Sequence, residues 1–536
     1  MVLQRFYIAF FALSLTACGG GGGSSTPTIA VAGPAPTPPP AATQPTLSFK
    51  DTTPTGLGFG IVFPSDYTEM PSQFAGGAAT GDIDGDGDLD LIIPRGPGNG
   101  GVGVFWNNSG NFPDVTGTAN IRVNTMVSGP TLADMDEDGD LDIFLGGLND
   151  EPSFLFENDG SGVFTDVTAT SGFADMTSKN TISAAFGDID GDGDLDMAMA
   201  HWGTTRLATD PGETETLWRN ESGSSGIRFV PIGESSGISA ALNVSSASGV
   251  LGPDHDYGFA PNFSDFDNDG DLDLLYVSDF LTTQVFRNDG NNQFTDITDT
   301  SQITDRNGMG ASVGDVDNDG DLDWFVTSID GNRLYLSDRG AFVNDSAAAG
   351  IEQGGWGWGA CLADFDADGW LDIYHTNGWI NNAGGNPQLP YTEDRSRFFR
   401  NNQDGTFGEM SEEVGLDDAD QGRGVICADF DGDQDIDILQ SLSDETRGVR
   451  LWVNETEGLN ALTVDVATVG ARVSVTAAGQ TQMREVRIGS NFTAHDPLRQ
   501  TFGLGDVTTG DVTVTFPDGR IETRNGVAAG QIITIN

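Results

Sequence analysis

From residue 47 to about residue 457 the chain repeats one alternation of apolar and polar positions. An apolar run such as Thr181-Ile-Ser-Ala-Ala-Phe leads into a short stretch in which every second residue is acidic, and a second run, Leu195-Asp-Met-Ala-Met, leaves it. Two further segments follow in most units. One reads like Leu217-Trp-Arg-Asn, Val285-Phe-Arg-Asn or Leu451-Trp-Val-Asn, and the other like Phe164-Thr-Asp-Val-Thr or Phe294-Thr-Asp-Ile-Thr. Short apolar runs between Gly-rich turns predict β-strands, here four per unit and designated a to d. The acidic stretches begin at Asp82, Asp134, Asp188, Asp265, Asp315, Asp364 and Asp429, at intervals of 52, 54, 77, 50, 49 and 65 residues. Units of this length, repeated seven times, predict an all-β chain built as a seven-bladed β-propeller.

The ends of the array are offset. Candidate d strands begin at Phe49, Phe112, Phe164, Phe229, Phe294, Phe342 and Phe407, and none follows the seventh acidic stretch. The segment at Phe49 should therefore cross the ring and complete the last blade, which removes an open edge strand. Insertions sort by face as well. The acidic stretches join a to b, whereas the long extras at 201–216, 236–262 and 377–396 join b to c or d to a, on the opposite face. Long loops gathered on one side of a rigid scaffold are where binding residues are expected.

Each acidic stretch is nine residues long with acids at positions one, three, five and nine. These are Asp82, Asp84, Asp86 and Asp90; Asp134, Asp136, Asp138 and Asp142; Asp188, Asp190, Asp192 and Asp196; Asp265, Asp267, Asp269 and Asp273; Asp315, Asp317, Asp319 and Asp323; Asp364, Asp366, Asp368 and Asp372; and Asp429, Asp431, Asp433 and Asp437. Alternate carboxylates followed by a glycine at position six can wrap oxygens around one hard cation, and calcium fits better than magnesium, zinc or copper. An EF-hand is excluded, because that loop closes with Glu at position twelve. The twelfth residues here are Ile93, Leu145, Met199, Tyr276, Val326, His375 and Gln440. Up to seven calcium ions are expected.

This reading changes what the composition means. The 536-residue chain carries a net charge of −57, which alone suggests self-repulsion. Much of that excess sits in the seven loops, where bound cations would neutralise it. No basic patch is present to meet phosphates, so nucleic acid is not an expected partner. The N-terminus has Arg5 and then an apolar stretch from Phe6 to Leu15, the pattern of an export signal over 1–18. Residues 19–46, rich in Gly, Ser, Thr, Pro and Ala, cannot bury a core and read as a tether. Cys361 and Cys427 read as small buried residues; an exported protein permits a disulfide between them without requiring one. Residues 458–536 lack acidic stretches but keep strand alternation, as in Leu462-Thr-Val-Asp-Val and Val512-Thr-Val-Thr-Phe, and are expected to form a separate small all-β domain.

Three resemblances add to this. Leu15-Thr-Ala-Cys18 resembles a bacterial lipobox, which implies lipidation of Cys18, and Gly19 after it implies the outer membrane. Phe74-Ala-Gly-Gly-Ala-Ala-Thr-Gly-Asp82 and Gly357-Trp-Gly-Ala-Cys-Leu-Ala-Asp364 resemble the FG-GAP or VCBS repeats of integrin-α-like propellers. Gly470-Ala-Arg-Val473, Phe502-Gly-Leu-Gly505 and Phe516-Pro-Asp-Gly519 resemble an ASPIC/UnbV domain. The pair together is similar to the cartilage acidic protein family. The resemblance implies calcium ligands at the first, third, fifth and ninth acids of each loop. Gln434 departs from it in place of glycine, and holding positive φ there costs about 1 kcal/mol, so the seventh site should be weakest. Trp370 replaces Asp at position seven of the sixth loop, where only the backbone carbonyl is needed.

The expected function is a lipid-anchored, monomeric binding or adhesion module at the cell envelope, facing periplasm or exterior, with a protein or glycan ligand. Its candidate ligand face comprises His201, Trp202, His255, Tyr257, Trp379 and Tyr391 on the inserted loops. Trp106, Trp218 and Trp452 recur in strand c and read as blade core. One alternative is a carbohydrate lyase or hydrolase using a His-carboxylate pair on the same face. Another is a periplasmic partner of an outer-membrane protein. No Gly-x-Ser-x-Gly elbow or phosphate-binding loop is present.

Overall fold

The computed structural model describes residues 45–57, 60, 74–149, 151–173, 180–205, 216–223, 226–242, 255–329, 331–379, 391, 393–443 and 447–536. Cys18 and nearly all of the 19–46 tether lie outside the described residues, as do parts of all three insertions.

Each acidic stretch turns an innermost strand a into its antiparallel neighbour b. The pairs are Ala78–Gly81 with Asp90–Gly96, Val127–Ala133 with Asp142–Gly147, and Thr181–Gly187 with Asp196–Thr205. They continue with His255–Ser264 and Asp273–Ser278, Gly308–Gly314 and Asp323–Ser328, Gly357–Ala363 and Asp372–Asn377, and Gly422–Ala428 and Asp437–Leu442. Strands c and d complete the blades. The last blade is closed from the far end of the sequence, Phe49 opposing Asn454 and Asp51 opposing Trp452. Only the first blade lacks a full fourth strand, because Pro113 has no N–H to give a ladder; a single bridge joins Phe105 to Asp114.

Apolar contacts run from blade to blade around the whole ring. Ile92 and Val104 of the first blade pack with Leu132 of the second. Phe144 packs with Phe186, Ala198 with Phe263, and Leu275 with Trp324. Phe325 then meets Ile373, Tyr374 meets Ile438, and Ile426 returns to Leu91. Burying a large side chain at each junction contributes roughly 1.5–3 kcal/mol.

Strand b of the third blade runs on past its own sheet and pairs with strand a of the fourth, Trp202 opposing Tyr257. The two blades thereby merge into one eight-stranded sheet on the insertion side.

The C-terminal segment is all-β, as expected, and also reaches into the ring. It has its own sandwich, with Gln500–Gly503, Ala461–Asp465 and Ile532–Thr534 in one sheet and Gln480–Glu485, Arg472–Ala477, Thr509–Thr515 and Ile521–Ala528 in the other. Val464, Val473, Phe502 and Val514 lie in its core. Residues 487–497, however, leave the sandwich and enter the ring's axis. The Ile488 carbonyl accepts from Phe186 N at 2.8 Å, and Asn262 Nδ2 donates to the Ser490 carbonyl at 3.0 Å. Arg487 donates to Val313 O, and Asn491 donates to Val425 O. Ala494–His495 pairs in parallel with Ala78 and Ala79. Innermost strands of the third, fourth, fifth, seventh and first blades thus hydrogen-bond to one plug. Its fit requires glycine: a Cβ at Gly310 would lie 2.1 Å from Asn491 O, and one at Gly77 would lie 1.8 Å from Thr493 O. The 44–536 region accordingly forms one compact unit.

Cys361 and Cys427 are bonded, joining strand a of the sixth blade to strand a of the seventh, with Cα atoms 6.3 Å apart. The bond was permitted but not required by the sequence, and it forms because neighbouring innermost strands bring near-equivalent positions face to face.

Candidate metal centres and the aromatic hub

The second loop shows how the sequence builds a cage. Asp134 opens it by accepting from Asp138 N and Gly139 N, both at 3.1 Å, which folds the loop back on its first residue. That fold needs left-handed backbone at positions four and six, and Glu137 and Gly139 have φ of 62° and 97°. Asp142 at position nine begins strand b and is 1 % exposed. Its Oδ2 accepts from Met135 N at 3.0 Å and its Oδ1 from Asn158 N at 2.9 Å. The side chain is therefore fixed in place by the end of strand c.

Carboxylate oxygens of Asp82, Asp84 and Asp90, of Asp134, Asp136 and Asp142, of Asp188, Asp190 and Asp196, and of Asp315, Asp317 and Asp323 converge within 4.8 Å of one another. In the fourth loop the converging set is Asp265, Asp267 and Asp269. Positions one, three and nine thus meet in four loops, and one, three and five in another. Asp136, Asp190 and Asp267 each keep a buried Oδ1 without a hydrogen-bond donor. Burial and mutual repulsion raise the ninth-position acids, Asp90 to about 7, Asp142, Asp196 and Asp323 to about 8, and Asp273 to about 9. Converging carboxylates with orphaned oxygens and no soft ligand fit a hard divalent cation of calcium type.

The sixth loop is different. Arg400 pairs with Asp366, and Asp364 Oδ2 accepts from Gly503 N at 3.0 Å, so the C-terminal sandwich sits against it. Arg472 of the sandwich lies 3.3 Å from the Asp265 carboxylate in the fourth loop. In the seventh loop Gln434 holds φ 72°, as the glycine replacement requires.

A residue type missed at the sequence level ties the cages together. The Asn that ends strand c donates through Nδ2 to the second residue of the preceding blade's loop. Asn158 reaches Ile83 O at 3.1 Å, Asn220 reaches Met135 O at 2.9 Å, and Asn288 reaches Ile189 O at 2.8 Å. Asn401, Asn454 and Asn107 repeat this toward Val316, Phe365 and Phe430. Only the fifth blade has Ser337 there, and at that junction Phe266 and Phe342 pack with ring centroids 5.4 Å apart. The signal was visible in the recurrent Asn of Leu-Trp-Arg-Asn and Val-Phe-Arg-Asn.

On the insertion face the aromatic residues expected to offer open faces are packed instead. Trp202, Tyr257 and Trp379 are 5 %, 4 % and 3 % exposed. They form a hub with Phe74, Phe259, Trp358 and the plug's Phe492. Trp379 stacks on Trp356 at 4.9 Å, Tyr391 meets Trp356 edge-on at 5.3 Å, and Arg423 lies 4.5 Å above Trp358. Buried Asp279, raised to about 6 mainly by desolvation, accepts from Asn307 at 2.6 Å and from Trp202 Nε1 at 3.3 Å. His201 is buried and hydrogen-bonds Thr181 Oγ1 at 3.1 Å. His375 is buried against Asn332 at 3.0 Å, and burial lowers its pKa to about 3. His255 lies on strand a of the fourth blade. Trp202, Tyr257, Trp379 and Tyr391 converge, but into a core that joins blades to plug. Trp218 and Trp452 are buried in blade packing.

The class defined by these features is a β-propeller with acidic a-to-b loops, plugged by a C-terminal β-sandwich. A family model of FG-GAP-like repeats matches residues 82–145, 134–199, 265–326, 316–375 and 388–439, and one named ASPIC and UnbV matches 465–536. The chain belongs to the FG-GAP-like repeat proteins that end in an ASPIC/UnbV domain. It is 24 % identical over 521 residues to cartilage acidic protein 1 of Xenopus tropicalis, covering 88 % of this chain and 75 % of that one. It is 24 % identical over 524 residues to the same protein of Homo sapiens, covering 88 % and 73 %. Among solved structures, an Agrocybe aegerita protein that recognises non-reducing terminal N-acetylglucosamine is 16 % identical with a TM-score of 0.38, covering 62 % of this chain and 79 % of that one.

Proposed function

We propose that this chain is a calcium-stabilised, extracytoplasmic binding module, held at the cell envelope by a lipid on Cys18 and engaging a protein or glycan. The observation that carries the reading is the convergence of acid triads, repeated loop after loop, on a closed ring whose two faces are held by different chemistry. Calcium on this reading is structural: it stiffens each a-to-b turn, and the strand-c asparagines pass that order to the next blade. Affinities of roughly 10⁻⁴–10⁻³ M suffice outside the cell. The likeness to cartilage acidic protein 1 supports an extracellular or envelope setting and a non-enzymatic role. His201 and His375 serve as buried hydrogen-bonding groups, which favours binding over acid-base catalysis. Among the described residues no helix is long and apolar enough to cross a membrane.

The test is a glycan and envelope-protein binding screen on the calcium-loaded full chain, repeated in EDTA, together with protease shaving of intact cells. Calcium-dependent binding supports the module. Turnover of a bound polysaccharide would replace it with the enzyme reading, and protection from shaving would place the protein on the periplasmic side.

A further inference from the structure

In six of the seven loops the acid at position three is half-buried or exposed, and so is the residue at position six. The sixth loop is covered: Asp366 is 2 % exposed and Gly369 is buried. The cover is the C-terminal sandwich. Gly505 N donates to Ala367 O at 2.8 Å, Gln480 Nε2 to Gly369 O at 3.1 Å, and Gly503 N to Asp364 Oδ2 at 3.0 Å. A Cβ at Gly503 would lie 2.2 Å from that same Asp364 oxygen, so glycine is what lets the sandwich come this close.

Under the cover lies a guanidinium. Arg400 immediately precedes the strand-c asparagine Asn401 and pairs with Asp366. Arg219 and Arg287 hold the same place in the third and fourth blades, within electrostatic reach of the third-position acids Asp190 and Asp267. Each of them is drawn away by the acid two residues on: Arg219 pairs with Glu221, and Arg287 Nη2 lies 2.6 Å from Asp289 Oδ1. The sixth blade has uncharged Asn402 at that point, and Arg400 turns onto the loop instead.

The other acids of the loop are also engaged by the protein. Asp364 accepts from Asp368 N at 3.0 Å and Gly369 N at 2.9 Å besides Gly503 N. Asp368 accepts from Trp370 N at 3.0 Å and from Gln403 Nε2 at 2.9 Å. Asp366 Oδ1 and Asp372 Oδ2 are left without a donor, whereas calcium takes roughly six to eight oxygens. A guanidinium cannot shed its charge, and in contact with a ligand carboxylate it would repel a divalent ion held by that same group.

We propose that Arg400 is the resident cation of the sixth loop, in place of calcium, and that this loop is a metal-independent seat for the C-terminal sandwich. The inference rests on the calcium reading of the other loops. The buried Arg400–Asp366 pair, closed over by the amides of Gly503 and Gly505, does for the sixth turn what an ion does elsewhere, so the sandwich keeps its seat when calcium is withdrawn.

The experiment is calcium content per chain, by equilibrium dialysis at millimolar calcium and elemental analysis, on the full chain and on Arg400→Gln, Asn402→Asp and Arg287→Gln. Arg400→Gln removes the competing charge. Asn402→Asp, at an exposed position, gives Arg400 the acidic neighbour that holds Arg219 and Arg287, so it is expected to fold even where Arg400→Gln does not. The expected result is one calcium more per chain than wild type in each of these two variants, and unchanged content in Arg287→Gln. Wild-type content in both Arg400→Gln and Asn402→Asp, or an equal gain in Arg287→Gln, would overturn the inference and leave the calcium reading of the other loops standing. No calcium in the wild type or in any variant would overturn both.

Discussion

Asn158→Ala tests whether the strand-c asparagines bind the cages into a ring. Asn158 is 3 % exposed. Its Nδ2 donates to Ile83 O and Leu141 O at 3.1 Å, and its Oδ1 accepts from Gly160 N at 3.3 Å and Gly162 N at 3.0 Å. Truncation strands all four partners. The half-buried Gly160 amide can be rehydrated, but the Gly162 amide is buried beside Trp106 and Ile83 O faces the interface between the first two blades. Stranding a buried group costs about 1–3 kcal/mol, so a loss of roughly 2–4 kcal/mol follows. Calcium affinity at the first loop should fall with it, because Ile83, whose carbonyl Asn158 holds, fixes the ninth-position Asp90 through its amide. Asn158→Asp keeps the shape but replaces the donor by an acceptor facing a carbonyl, and should do at least as much damage. The assay is thermal and urea denaturation in saturating calcium, paired with calcium titration. A loss below about 0.5 kcal/mol in both variants, with unchanged calcium affinity, would refute the latch.

Three further outcomes follow from other parts of the structure. Without metal, the ninth-position acids hold protons that the unfolded chain releases above about 4, so stability in EDTA should fall as pH rises from about 5 to 8; with calcium the ion replaces the proton and the decline should vanish, and a metal-free form that melts higher at pH 8 than at pH 5.5 would contradict this. Reduction of the Cys361–Cys427 bond, which spans 66 residues, should lower the melting temperature, with about 4 kcal/mol as the chain-entropy ceiling; no shift under a strong thiol reductant would show that the bond does not stabilise the ring. Gly310→Ala drives a Cβ into two backbone carbonyls, Asn491 O at 2.1 Å and Trp358 O at 2.4 Å, and should destabilise by roughly 1–3 kcal/mol, whereas Gly117→Ala, with nothing within 4 Å, should not.

The fold was legible wherever information was local and repeated. The a-to-b placement of every acidic loop, the completion of the last blade by Phe49–Asp51 and the strand character of 458–536 followed from period and pattern. The plug did not, because Ser490-Asn-Phe-Thr-Ala-His-Asp496 has no strand or helix periodicity and only two apolar residues, Phe492 and Ala494, and its close fit depends on glycines at Gly77, Gly310 and Gly424 far upstream. The hub misled for a related reason. Trp202, Tyr257 and Trp379 sit in long polar insertions that look like binding loops, and only the arrival of Phe74, Trp358 and Phe492 from other segments makes them core. The disulfide was undecided because two cysteines 66 residues apart become neighbours only once the sixth and seventh blades are adjacent.

The most direct test of the account is calcium stoichiometry and melting temperature of the full chain with and without EDTA. Several calcium ions per chain at millimolar calcium and a large chelator-induced fall in melting temperature are predicted, because each acid triad then holds an ion instead of repelling itself. One ion or none, with a melting temperature indifferent to EDTA, would mean that the acidic loops are solvated turns and that hydrogen bonds and apolar packing alone hold the ring.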